Sequence, residues 1–500
     1  MTTQSSQGRI RPYQAVPEFH HSFDVIVCGL GGAGGAAALE ARRAGAEVLV
    51  LERASAGGGS TAMSSCEMYL GGSGGTQLQK DLGFEDSTEN MVAYLNEALG
   101  ARGDQEKINQ YAQGAAEHFN WVESLGVTFK RAALLERVVV PLSDESLLYT
   151  GNEKTYPFNR VATPVPRGHV PSMEGDEGGK LFMEALIGKV MEEGCQIQVD
   201  SRVVALLQDD NGEIRGVVAK QAGKEVYIEA RSGVVLASGG FVMNNTMTER
   251  YLPETRSFGV PYGNTYDQGD GILLGMAAGG NAINMDQAFM AMPVYPPAKL
   301  TFGLLVNEQG QRFVNEDAYL ARLAHYCAQQ SNQKVYLLIQ NEDFEQSHYF
   351  ERLDVVAVGD SIEELEAEAN MPDESLQTTV EYYNRFAEQS EDPLFNKDKE
   401  WVKQLNKPPF ALVSYSFEDI TAAIMPGTKG PLIFTLGGLE TLPSGEVLSI
   451  DGEVIPGLFA AGRVSAGLPR TAKGYASGMS VGDATFFGRK AGKRAALWRK

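Results

Sequence analysis

Five hundred residues are enough for about two to four domains of ordinary size around a large core. A net charge of −21, with 43% hydrophobic and 21% charged residues, describes a globular surface that repels nucleic acid, because phosphate binding needs clustered Lys and Arg. Cys28, Cys66, Cys195 and Cys327 stand far apart with no CxxC spacing and the histidines form no ligand pattern, which argues against a disulfide framework and a metal site.

Residues 1–22 read as a polar lead-in without the apolar stretch of a signal peptide, and no run of roughly eighteen apolar residues follows, so no transmembrane segment and a cytoplasmic location are expected. From Phe23 a short apolar run (Val25, Ile26, Val27) meets Gly29-Leu30-Gly31-Gly32-Ala33-Gly34. An Ala-rich helical pattern and a second apolar run ending at Glu52 complete the unit. This is a strand, a tight turn, a helix and a parallel strand, the pattern of a dinucleotide site. Gly29 permits the turn, Gly31 admits a pyrophosphate to the backbone, and Gly34 lets the helix pack closely on the sheet. Phosphates belong on the helix N-terminus, and Glu52, about twenty residues on, is spaced for a ribose 2′-OH.

Residues 53–79 form a Gly/Ser/Thr loop suited to wrapping a cofactor. Helical spacing returns over 86–125, irregular sequence follows to about 178, and a helix covers 180–193. Strands are predicted at 195–200, 203–209, 214–220 and 225–230, with a hairpin turn at Asp210-Asn-Gly-Glu213, and a separate buried strand over 232–240. Helices follow at 271–279, 361–369 and 374–389, a hairpin turn at Pro443-Ser-Gly-Glu446, a strand into Gly457–Gly462, and a helix from about Ser480. The predicted fold is α/β, α+β overall: a Rossmann-like nucleotide domain from 23–277 and 429–500, with an α+β substrate or capping domain, 278–428, inserted.

Three segments (Gly29–Gly34 with Glu52, Val234–Gly240, and Gly457–Gly462 with the terminal helix) resemble the flavoprotein superfamily of fumarate reductases and 3-ketosteroid dehydrogenases. Gly310-Gln-Arg-Phe-Val-Asn-Glu316 is similar to the GxRFxNE stretch of that superfamily's inserted domain. The resemblance covers nearly all of the chain from residue 23 and implies FAD as cofactor. By that likeness Gly29, Gly31, Gly32, Ala33, Gly34, Glu52, Arg53, Gly59, Ser60, Thr61, Gly71 and Gly72 line the FAD. Val203 lies near the adenine, with Ala237, Ser238 and Gly239 behind it. Asp270, Gly462, Gly478, Ser480 and Val481 approach the flavin and ribityl chain, and Arg463 serves structure or the FAD. Membrane succinate dehydrogenases tether FAD through a histidine whose position here is Ser60, which implies non-covalent flavin.

Dicarboxylate reductases of the superfamily carry HGANRLGGN before the last helix, with His and Arg gripping a carboxylate. Aligned on Gly478, those positions are Thr471 and Tyr475. A neutral phenol suits a ketone oxygen and does not replace a bidentate guanidinium. Tyr475-Ala-Ser477, with Tyr319 just after the GQRFVNE stretch, looks like the 3-ketosteroid Δ4-(5α)-dehydrogenase branch, whereas Δ1-dehydrogenases place Tyr-Pro-Gly-Ala-Gly in that loop.

The resemblance implies that Tyr475 polarises a steroid 3-ketone, that Ser477 takes the C4 proton with Tyr319 relaying it, and that hydride passes to flavin N5. The expected partners are a steroid ketone and an electron acceptor the sequence does not identify. Two other readings are a Δ1-dehydrogenase or a reductase of another unsaturated carbonyl or acid, and a non-catalytic flavin electron carrier. Trp121, Phe119, Tyr295, Phe302 and Tyr415 are candidates for a steroid wall, with aromatic core as the default for each.

Overall fold

A computed structural model describes residues 8–137, 143–175, 177–256, 259–291, 297–345, 354–424 and 430–499. Its backbone is a mixed nine-stranded sheet in the order Ile10–Pro12, Ser201–Gln208, Ile214–Gln221, Lys224–Leu236, His21–Cys28, Val48–Leu51, Gln196–Gln198. Val454–Ala460 and Glu446–Leu448 branch from Lys224–Leu236. The runs Val25–Cys28 and Val48–Leu51 are buried, as parallel strands covered on both faces must be.

Two expectations need correction here. The lead-in is already part of the sheet: Ile10–Pro12 pairs parallel with Leu206–Gln208, the Arg11 guanidinium donates to Glu225 at 2.7 Å, and the next strand begins at His21. The two strands expected at 225–230 and 232–240 are one, Lys224–Leu236. An irregularity between Ala230 and Gly233 lets its first half serve the antiparallel hairpin with Ile214–Gln221. Its second half pairs parallel with both His21–Cys28 and Val454–Ala460.

Helix Gly32–Arg43 packs on the terminal helix Met479–Ala496. A Cβ at Gly492 would stand 1.9 Å from the Ala37 carbonyl oxygen, so the two backbones touch directly. The predicted 86–125 helical region is two helices, Thr88–Leu99 and Gln105–Ser124. They cover a small sheet of Met68–Tyr69, Gly168–His169, Leu147–Leu148 and Ala133–Leu134.

The inserted region centres on an antiparallel sheet, Leu304–Asn307, Val335–Gln340, Phe410–Ser414 and Val355–Gly359. A three-stranded sheet joins it to the nucleotide domain: Val260–Pro261, Leu432–Thr435 and Ala288–Ala291 come from both sides of the expected boundaries. The boundary at 428–429 lies outside the described residues. In the GQRFVNE stretch the buried Arg312 guanidinium donates to Glu316 at 3.0 and 2.8 Å and to Asp392 at 2.9 and 3.0 Å, while Lys397 pairs with Glu316 at 3.3 Å. This cluster fixes the turn that leads to Tyr319. Breaking such a buried network strands its charges, so Arg312→Met is expected to lower stability by about 3–5 kcal/mol. Guanidinium unfolding of the purified protein measures this; an unchanged midpoint would contradict the role given to the cluster.

Candidate functional site

One groove of about 330 Å³ runs along the C-terminal ends of the parallel strands, where a doubly wound sheet offers its ligand crevice. At one end is the first glycine turn. Gly29 has φ 109°, and a Cβ there would fall 2.6 Å from the Ala237 carbonyl oxygen, so only glycine fits. A Cβ at Gly34 would fall 1.9 Å from the Gly29 carbonyl oxygen, which gives it the packing role read from the sequence and takes it out of the groove wall. No side chain caps the helix at Gly31, which leaves the helix start available to an anion; the Gly32 N–H donates to Thr61 Oγ1 at 3.2 Å.

Glu52 accepts from the Leu30 and Ala54 N–H groups, both at 2.8 Å, and each carboxylate oxygen retains capacity for a ribose hydroxyl. Asp270 is gripped by Arg53 at 3.0 Å and by Arg202 at 3.1 and 2.8 Å, and Arg53 lies over the Tyr266 ring. Asp270 thus holds its part of the groove wall through the residues next to Glu52 and Val203 in the chain.

Midway along the groove Asp267 accepts from Arg463 at 2.5 Å and from the Ser60 hydroxyl at 2.9 Å, and the Ser60 Oγ accepts the Asn264 N–H at 2.9 Å. Among the described residues Arg463 Nη1 is buried without a partner. Gly71 and Gly72, expected along the FAD, do not line the groove. The Gly72 N–H donates to Asp86 Oδ2 at 3.1 Å, and a Cβ at Gly71 would fall 2.3 Å from the same oxygen. Gly71 makes room for the wholly buried Asp86–Arg167 pair, joined at 2.7 and 2.8 Å, and Gly72 for helix Gln105–Ser124, since a Cβ there would fall 2.1 Å from the Ala112 carbonyl oxygen.

At the far end Tyr475, Ser477 and Tyr319 line the same groove with Gly478, Ser480 and Val481, and Ala33, Gly59, Ala237, Ser238, Gly239 and Gly462 line it elsewhere. The loop holding Tyr475 and Ser477 is pinned twice: the Ser477 N–H donates to the Thr150 carbonyl at 2.8 Å, and Gly478, at φ 91°, abuts Met68 and Tyr69. The Tyr475 hydroxyl donates to Ser480 Oγ at 2.9 Å, and burial pushes the phenol up to about 12, so it stays a neutral donor. The Tyr319 N–H donates to Asn152 Oδ1 at 2.9 Å at the head of helix Leu320–Ala328.

Phe289 and Phe434, neither singled out in the sequence, face each other across paired strands at 4.5 Å between centroids, and Phe289 meets Tyr475 at 4.5 Å. Trp121, Phe119, Phe302 and Tyr415 are absent from the lining; Trp121, Phe119 and Tyr415 are buried in the core, whereas the half-buried Phe302 packs on Trp401 at 5.3 Å, and Tyr295 lies outside the described residues. Arg470 is spent on the Gly467 and Arg102 carbonyls, and Lys473 lies near Tyr326, both away from the groove. Glu67 was also missed. It lines the groove, and its signal was legible as a lone charge inside the apolar run Cys66-Glu-Met-Tyr-Leu70.

A family model described as "FAD binding domain" matches residues 24–478. The chain belongs to that FAD-binding family. A crystal structure of the 3-ketosteroid Δ4-(5α)-dehydrogenase of Rhodococcus jostii, in complex with 4-androstene-3,17-dione, superposes with a TM-score of 0.90 at 41% identity, covering 98% of this chain and 99% of that one. The 3-oxo-5α-steroid 4-dehydrogenase of Comamonas testosteroni is 27% identical over 88% of this chain and 92% of its own. A probable fumarate reductase of Shewanella frigidimarina is 25% identical over 94% of this chain and 74% of its own. The protein is an FAD-dependent oxidoreductase of the fumarate reductase and 3-ketosteroid dehydrogenase family.

The residues fit that cofactor. The helix start and Glu52 suit its pyrophosphate and ribose. Among the described residues no helix is long and apolar enough to cross a membrane, no metal-binding cluster of His, Cys, Asp and Glu occurs, and all four cysteines are free and buried. Gly34→Val pushes the first turn into its own strand; an overpacking cost of about 1–3 kcal/mol implies roughly tenfold or greater loss of FAD retention. The flavin-to-protein absorbance ratio after gel filtration measures this, and full retention would contradict the packing account.

Proposed function

We propose that this flavoprotein oxidises saturated 3-keto-(5α)-steroids to 4-ene-3-ones. The observation that carries this reading is the end of the groove itself. A neutral phenol, Tyr475, stands against an apolar wall of Phe289 and Phe434 where a carboxylate-binding relative would need a guanidinium. Three arginines line the groove among the described residues, and each is matched by a carboxylate, Asp270 for Arg53 and Arg202 and Asp267 for Arg463. A dicarboxylate would meet no uncompensated cation there, whereas a planar lipophilic ketone gains an apolar wall and a hydrogen-bond donor. The steroid dehydrogenases among the similar proteins support the same class of substrate.

In this reading Tyr475 donates to the C3 oxygen, and the bond strengthens as enolate charge grows. Ser477 takes the C4 proton and Tyr319, across the groove, relays it; a serine hydroxyl is too weak a base to act without such a partner. The bound flavin supplies the hydride acceptor. The flavin is held without a covalent bond, since Ser60 offers no ring nitrogen and its hydroxyl is occupied by Asp267 and Asn264.

Mixing oxidised protein anaerobically with 5α-androstane-3,17-dione is expected to bleach the flavin as 4-androstene-3,17-dione appears. No bleaching, with reoxidation of the reduced protein by fumarate or another enoic acid, would overturn the assignment. Tyr475→Phe is expected to keep its FAD and lose about 100-fold or more in flavin reduction rate, as loss of an oxyanion donor does; an unchanged rate would contradict the role given to Tyr475. Acid precipitation is expected to leave the flavin in the supernatant, and flavin in the pellet would contradict the non-covalent assignment.

A further inference from the structure

Glu67 is 2% exposed and lines the flavin groove, yet among the described residues neither of its carboxylate oxygens has a hydrogen-bond partner. Leaving such a group unsatisfied is costly, which a folded protein tolerates where the group meets a ligand or a proton. The position is enforced. Cys66 turns the chain at φ 57°, and the strand that follows, Met68–Tyr69, is clamped to the Ser477–Gly478 loop by the Tyr69 N–H donating to the Gly478 carbonyl at 3.2 Å. Glu67 therefore stands on the same wall as Ser477 and Tyr475.

Behind it lies a second buried carboxyl. Glu153 is 1% exposed; its Oε2 accepts the Gly151 N–H at 3.0 Å, the Tyr69 hydroxyl also reaches it, and its Oε1 has no partner among the described residues. Glu153 lines a different cavity, of about 250 Å³, with Lys154, Arg137, Asp317 and Trp401. Tyr319 borders both cavities. Glu67 thus borders the groove and Glu153 the second cavity, and the two buried acids are close enough to repel each other. Burial, then repulsion from Glu153, pushes Glu67 up to about 8; burial raises Glu153 also. The other charged or titratable neighbours are Tyr475 and Cys66, which feel Glu67, and Tyr69, Tyr94, Tyr149 and Arg167, which couple to Glu153. Asp86 already neutralises Arg167. No cation is paired with either acid among the described residues, so the pair holds one proton readily and two negative charges poorly.

We infer that Glu67 and Glu153 form a proton-transfer pair for this site, Glu67 receiving the proton released at Ser477 and Glu153 passing it to the second cavity. This rests on the steroid reading above. As the C4–H bond breaks, its proton goes to Ser477 Oγ while the Ser477 hydroxyl proton passes to the Tyr319 hydroxyl, whose own proton forms an O–H bond on the Glu67 carboxylate. The C4 electron pair becomes the new double bond, and the C5 hydrogen leaves as hydride to the bound FAD. Glu67 serves as acceptor only when ionised, so the rate of flavin reduction rises as pH passes about 8.

The test is the pH dependence of anaerobic flavin reduction by 5α-androstane-3,17-dione in the FAD-loaded protein, its Glu67→Gln variant and its Glu153→Gln variant. Glu67→Gln is expected to keep its FAD, lose the rise near pH 8 and fall about 100-fold below the parent on the alkaline side. Glu153→Gln removes the repelling charge and is expected to move the rise to lower pH. A parental pH profile in Glu67→Gln overturns the inference. Infrared titration without steroid separates this from failure of the steroid reading. A protonated-carboxyl band present at neutral pH, lost on raising the pH and missing in Glu67→Gln, supports the pair even if steroid leaves the flavin oxidised; its absence in the parent overturns the pair.

Discussion

The groove depends on the contact between helix Gly32–Arg43 and the terminal helix Met479–Ala496. Cβ atoms at Gly488 and Gly492 would fall 2.6 and 1.9 Å from the carbonyl oxygens of Ala33 and Ala37, so the helices meet backbone to backbone. That contact fixes where the terminal helix begins, and hence where Gly478, Ser477 and Tyr475 stand relative to the turn at Gly29. Cofactor grip and substrate end are thereby set by one rigid joint between the two ends of the chain. Nearly any side chain at Gly492 separates them.

Charge is distributed along the groove by the same economy. Arg53, Arg202 and Arg463 are matched by Asp270 and Asp267, and these pairs organise the adenosine end and the middle. Beyond them the wall becomes aromatic, and the polar groups that remain are neutral at ordinary pH or held neutral by burial: Tyr475, Ser477, Tyr319 and Glu67. Such an environment stabilises developing enolate charge with fixed donors and leaves little to hold a formal dianion.

The sequence made the nucleotide unit legible because its chemistry is local. A turn that needs φ above zero at Gly29, a close approach at Gly34 and a carboxylate at Glu52 all sit within one strand–helix–strand unit. Tyr475 and Ser477 were legible through their distance from Gly478. Gly71 and Gly72 were misassigned because their true neighbours are the Asp86–Arg167 pair, closed across 81 residues, and helix Gln105–Ser124, and a glycine gives no sign of which backbone it admits. Phe289 and Phe434 become one surface only when the strands from both ends of the inserted region pair, a register that single-segment periodicity does not encode.

The central claim is that a hydrogen leaves each of C4 and C5 of a 3-keto steroid in this groove. Deuterium isotope effects on single-turnover flavin reduction, with 5α-androstane-3,17-dione labelled at C4, at C5, or at C1 and C2, test it directly. The account predicts primary effects from label at C4 and at C5 and none from C1 or C2. A primary effect confined to C1 and C2 would contradict it and make the protein a Δ1-dehydrogenase.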